Sequence, residues 1–174
     1  MNASQKKNIL LVDDDPFLQC LYRKTLEREG FNMVTANDGL AAIEKLPELS
    51  LDLVVLDLML PKLDGLKVLE TIRANSAHKN LPVLILSNAY LPQVAQKAMK
   101  AGATSGMLKS ECSPKKLVVL IRELLEAASP KDNQEPAKPE PASHAPWIAG
   151  FLGRKPSRPA RKAPVRRAPV RSPL

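Results

Sequence analysis

Apolar and polar residues alternate along the chain in blocks of two kinds. Short continuous apolar runs are followed by longer stretches with apolar residues at helical spacing, and the pair repeats five times. Asn8–Val12 is the first run, and its unbroken apolar character predicts a strand buried on both faces. Asp15-Pro16 then supplies an N-cap and a proline at the first helical position. Phe17, Leu18, Leu21, Tyr22 and Leu26 continue at helical spacing as far as a glycine C-cap at Gly30.

The same logic predicts the remaining elements. Strands are expected over Phe31–Ala36, Leu53–Leu56, Pro82–Leu86 and Gly106–Leu108. Helices are expected after the caps Asp38, Asp64 and Ser113 and over Pro92–Ala101, where Gly102 ends the pattern. The helix after Ser113-Pro114 carries the strongest apolar stripe, through Leu117, Leu120, Ile121, Leu124 and Leu125. A (βα)₅ alternation with buried strands implies an α/β fold, a doubly wound parallel sheet with helices on both faces. By analogy with flavodoxin-like sheets of this kind the strand order is 2-1-3-4-5.

Charge divides the chain into two parts. Residues 1–129 hold 16 basic and 15 acidic residues, and residues 130–174 hold 10 and 3, so the net +8 resides almost wholly in the second part. The second part also holds ten of the 16 prolines. We therefore expect a folded domain over residues 1–129 and a disordered basic tail over 130–174, too poor in apolar residues to bury a core. Cys20 and Cys112 are too few and too far apart for a disulfide framework or a zinc knuckle. Cys20, beside Leu21 on a helical pattern, is expected to be a buried free thiol. With no membrane-length apolar run and no secretory cleavage site, a cytoplasmic location is expected.

The chemistry lies at strand ends. Asp13 and Asp14 follow the first strand and Asp57 follows the third, and the expected order makes those strands neighbours. Clustered carboxylates repel unless a cation neutralises them, and Mg²⁺ suits a few carboxylates and several waters. Ser87 and Lys109 follow the fourth and fifth strands and add a hydroxyl and an ammonium to the same cleft. Such a set suits transient acyl-phosphate formation. Asp14 and Asp15 also fit plain helix-capping roles, and Asp57 a turn.

Five strings occur in order: Leu11-Val12-Asp13-Asp14-Asp15-Pro16, Asp57-Leu58-Met59-Leu60-Pro61, Asp64-Gly65, Leu86-Ser87, and Gly102-Ala103 followed by Lys109. Over residues 8–128 this resembles the receiver domain of response regulators. The resemblance implies that Asp57 accepts phosphate from a histidine kinase or phosphotransfer protein. It implies that Asp13, Asp14, Asp57 and the Met59 carbonyl hold Mg²⁺, and that Ser87 and Lys109 contact the phosphoryl group. Three positions depart from the family pattern: Gly106 for an aromatic residue that swings inward on activation, Ser110 for a proline, and Asn88 for a smaller residue. They predict intact phosphorylation with altered coupling to the surface of strand 4, helix 4 and strand 5, a looser trans loop at Ser110, and Tyr90 as a substitute aromatic.

The leading expectation is a non-enzymatic, single-domain response regulator acting on an unidentified downstream protein. The alternative is a pseudo-receiver whose tail docks on a partner, an anionic membrane or nucleic acid. Trp147–Leu152, an apolar plug before the basic run, adds an interfacial anchor or docking peptide to those options. An aspartate-nucleophile phosphatase ranks lower, because Met59 stands where such enzymes place an acid. No dedicated DNA-binding domain is expected after residue 129.

Overall fold

The computed structural model describes residues 6–48, 50–88 and 92–129. The expectations for Tyr90, for residues 130–174 and for the Trp147–Leu152 plug lie outside the described residues.

Five strands, β1 (Asn8–Val12), β2 (Asn32–Ala36), β3 (Leu53–Leu56), β4 (Val83–Ser87) and β5 (Ser105–Leu108), alternate with five helices. These are α1 (Pro16–Arg28), α2 (Gly39–Lys45), α3 (Gly65–Ala74), α4 (Pro92–Lys100) and α5 (Pro114–Ala128). All strand pairs are parallel, and the sheet order is β2-β1-β3-β4-β5. The predicted fold class is therefore the observed one.

The caps explain where the helices begin. Asp15, Asp38, Asp64 and Ser113 each accept from a backbone N–H of the first turn, and Pro16 and Pro114 occupy the start of α1 and α5. Gly30 at φ +91° and Gly102 at φ +98° turn the chain out of α1 and α4.

Alternate strand residues face opposite layers. Leu10, Val12, Val54, Leu56, Val83 and Ile85 pack against α2, α3 and α4. Ile9, Leu11, Leu53, Val55, Leu84 and Leu86 pack against α1 and α5. Burial on both faces is why these strands read as continuous apolar runs.

Some boundaries differ from the sequence reading. β2 starts at Asn32, because the Phe31 N–H closes α1 by donating to the Leu26 carbonyl at 3.1 Å. β4 runs one residue further along the chain than predicted, so Ser87 is its last residue. The α1 stripe is also narrower than predicted. Tyr22 and Leu26 are buried, while Phe17 and Leu21 are exposed. Cys20 is exposed, not buried, since it lies on the outer side of α1. No helix among the described residues is long and apolar enough to cross a membrane.

Candidate functional site

The carboxyl ends of β1, β3, β4 and β5 gather the predicted residues at one rim of the sheet. β1 and β3 pair with Val12 opposite Leu56, so Asp13 and Asp57 leave the sheet side by side. Two backbone bonds fix those exits: the Asp57 N–H donates to the Val12 carbonyl at 3.0 Å, and the Asp13 N–H to the Ala36 carbonyl at 3.1 Å. β4 and β5 pair with Ser87 opposite Leu108, which sets Lys109 just past the hydroxyl residue.

Lys109 bridges the two buried acids. Its Nζ lies 2.7 Å from Oδ2 of Asp13 and 2.6 Å from Oδ2 of Asp57. The other oxygen of each acid accepts a backbone N–H two residues onward. Asp13 Oδ1 takes that of Asp15 at 2.9 Å, and Asp57 Oδ1 takes that of Met59 at 3.0 Å. Each carboxylate is thus held at both oxygens. Asp14 is exposed at the mouth, and one oxygen from each of Asp13, Asp14 and Asp57 falls within 4.8 Å of the others. Ser87 is buried at the end of β4.

Electrostatics follow from this burial. Desolvation is the largest influence on Asp13 and holds its carboxyl above its ordinary range, although Lys109 and the Asp15 N–H pull the other way. Burial also pushes Lys109 down, but the two acids overcome that and leave the ammonium above its usual value. Lys109 therefore stays charged.

Three acids against one ammonium leave an excess of negative charge in a site walled by protein. Their donors are all hard oxygens, which suits a divalent cation such as Mg²⁺ or Ca²⁺ better than a soft metal. Asp13, Asp14 and Asp57 are the residues that fit around it.

Close packing holds the end of β3 at Asp57. A Cβ on Gly65 would lie 2.0 Å from the Asp57 carbonyl oxygen and 2.7 Å from Leu58 Cα. Only glycine lets α3 start against that backbone. The intervening loop passes through Lys62 at φ +64°, whose Nζ reaches Oδ2 of Asp38 at 2.6 Å. Residues unremarked in the sequence also contribute. Gln19 Nε2 donates to the Asp13 carbonyl at 2.5 Å and the Ala36 carbonyl at 2.8 Å, tying the ends of β1 and β2 to α1. A polar residue on the inner flank of an otherwise apolar helix pattern was its one available signal.

The departures from the family pattern take these forms. Gly106 is buried in β5. Asn88 is exposed, just past β4. The Lys109–Ser110 bond is trans, and residues Lys109–Glu111 form a 3₁₀ turn closed by the Cys112 N–H on the Lys109 carbonyl at 3.2 Å.

In sequence and in fold the chain is similar to known proteins. The model of the response regulator receiver domain matches residues 9–122. The transcriptional regulatory protein CpxR homolog of Haemophilus influenzae is 40% identical over 131 residues, which are 72% of this chain and 53% of that protein. The transcriptional regulatory protein TrcR of Mycobacterium tuberculosis is 35% identical over 121 residues, 70% of this chain and 46% of its own. The chain thus spans about half the length of these curated relatives. Among solved structures, the chemotaxis response regulator CheY4 of Vibrio cholerae superposes with a TM-score of 0.65 at 26% identity, covering 69% of this chain and 99% of that one.

Proposed function

Since the chain belongs to the response regulator receiver family of two-component signalling, we propose that it is a phosphoacceptor switch in which Asp57 carries the phosphoryl group. The observation that carries the reading is the buried Asp57 carboxylate, held by the Met59 N–H and the Lys109 ammonium beside two further acids.

The donor is a phosphohistidine on a kinase or phosphotransfer protein. An Asp57 oxygen attacks phosphorus, one P–O bond forms, one P–N bond breaks, and the imidazole, already protonated on its other ring nitrogen, takes the P–N electron pair and leaves as the neutral base. The Met59 N–H and Lys109 orient the carboxylate before attack, so little rearrangement is needed. Lys109 then faces the added negative charge, and the Ser87 hydroxyl donates to a phosphoryl oxygen. Asp13, Asp14, Asp57 and the Met59 carbonyl would hold Mg²⁺, which when bound would supply charge neutralisation for the acids and the incoming phosphoryl oxygens. The aspartyl phosphate shifts a two-state equilibrium of the domain, because one state binds the new charge better.

We assign the receiver to residues 1–129; the 10 basic and 3 acidic residues of 130–174 give that stretch a net positive charge that favours a polyanionic surface. The downstream partner is a protein read through the switched state. To test the acceptor chemistry, the chain is incubated with acetyl phosphate, with and without Mg²⁺, and run on a phosphate-affinity gel. A retarded, hydroxylamine-labile band that needs Mg²⁺ supports the reading. An unshifted band in both lanes contradicts it.

A further inference from the structure

The hydroxyl of Tyr22 is surplus to the packing of its own ring. Tyr22 is 2% exposed, in the cluster formed by Ile9, Leu11, Leu26, Leu117 and Ile121. A leucine or phenylalanine would satisfy that environment. A hydroxyl buried there is costly unless it has a partner, so the partner's identity is informative.

That partner is the backbone carbonyl of Cys112, at 3.0 Å and 90 positions along the chain. Cys112 ends the turn that begins at Lys109. Its carbonyl precedes α5, and the Lys116 N–H that would be its helical partner donates instead to Ser113 Oγ at 3.3 Å. Its N–H donates back to the Lys109 carbonyl at 3.2 Å. Two successive hydrogen bonds therefore join Tyr22, on α1, to the backbone of the lysine. One turn earlier on the same helix, Gln19 holds the carbonyl of Asp13. α1 thus grips both walls of the cleft, the acid wall through Gln19 and the lysine wall through Tyr22.

We propose that Tyr22 is a positioning residue for Lys109, its hydroxyl pinning the Lys109–Cys112 turn so that the ammonium stays against Asp13 and Asp57. The assignment rests on the phosphoacceptor reading above. It has particular weight in this chain, because Ser110 gives the turn none of the ring restraint that a proline supplies. Burial also raises the Tyr22 hydroxyl to about 12, so it remains a proton donor under all ordinary conditions.

The test is Tyr22→Phe in the full chain, which keeps the ring and removes the donor. Four quantities are measured beside wild type: the phosphorylation rate at saturating acetyl phosphate, the Mg²⁺ concentration giving half that rate, hydrogen exchange at the Ser110, Glu111 and Cys112 amides, and the thermal unfolding transition. We expect the rate to fall about tenfold and the three amides to exchange about tenfold faster. The half-saturating Mg²⁺ concentration should not rise, because the metal-holding acids are untouched. A general loosening of the fold would instead weaken Mg²⁺ binding along with the rate. A variant that is phosphorylated as fast as wild type overturns the positioning role and leaves the phosphoacceptor reading standing. So does a variant that loses its cooperative thermal transition, since the hydroxyl then serves the whole fold. Wild type that takes no phosphate removes the phosphoacceptor reading, and this inference with it, whatever the exchange data show.

Discussion

Lys109 Nζ sits 2.6 Å from Oδ2 of Asp57, with both side chains almost wholly withdrawn from solvent. Such a pair is weak evidence of stability, because desolvation offsets much of its attraction. Breaking it is another matter. Lys109→Met keeps the length and apolar bulk but strands two buried acids. We expect it to lose about 3 kcal/mol at neutral pH without divalent ions, read from urea unfolding. Adding Mg²⁺ should restore more stability to the variant than it adds to wild type.

Asp13 gives a prediction with the opposite sign. Its carboxyl is held above the ordinary value of 3.8, chiefly by burial. The stabilisation belonging to its protonated form is complete below 3.8 and is lost as pH rises through the folded value. At pH 7 the ionised group therefore works against the fold. Asp13→Asn should unfold at higher urea than wild type when no divalent ion is present. Mg²⁺ should stabilise wild type and leave the variant nearly unchanged. A variant less stable than wild type in metal-free buffer would contradict the burial argument.

Alkaline pH should weaken the fold in a defined window. Burial raises Cys112 from 9.0 to about 11 and Tyr22 from 10.0 to about 12. The unfolded chain loses these protons first, so stability present below pH 9 is lost as pH rises to about 12. Each two-unit shift corresponds to about 2–3 kcal/mol. Cys112→Ala should flatten the stability curve between about pH 9 and 11, and Tyr22→Phe between about pH 10 and 12. The slopes are compared, since each variant also alters packing.

Gly65 reverses a familiar trend. Replacing glycine by alanine within a helix usually stabilises by about 0.5–1 kcal/mol. Here the added Cβ would meet the Asp57 carbonyl oxygen at 2.0 Å. We expect Gly65→Ala to cost about 3 kcal/mol in thermal or urea unfolding, and to slow phosphorylation because the acceptor strand end must shift.

The parts of this fold legible in the sequence were those set by local rules. Asp15-Pro16, Asp64 and Ser113-Pro114 announced helix starts through capping chemistry, and the run Leu53–Leu56 announced a doubly buried strand. Asp13, Asp57 and Lys109 each directly follow an apolar run, with Asp14 next to Asp13, and the sheet order brings those ends together as the sequence implies. What escaped was what depends on facing. Cys20 and Leu21 have apolar neighbours in sequence but lie on the outer side of α1. The Tyr22 hydroxyl bond and the Gln19 bridge join elements far apart in the chain, and no periodicity encodes them. The Lys62–Asp38 pair depends on a left-handed backbone at lysine, a conformation that residue type seldom signals.

The central claim is that Asp57 itself receives the phosphoryl group. Intact mass of wild type and Asp57→Asn, after incubation with acetyl phosphate and Mg²⁺, tests it most directly. We predict one added phosphoryl group on wild type, lost on mild base treatment, and no addition on Asp57→Asn. An equal labile adduct on both proteins, or none on either, would contradict the account.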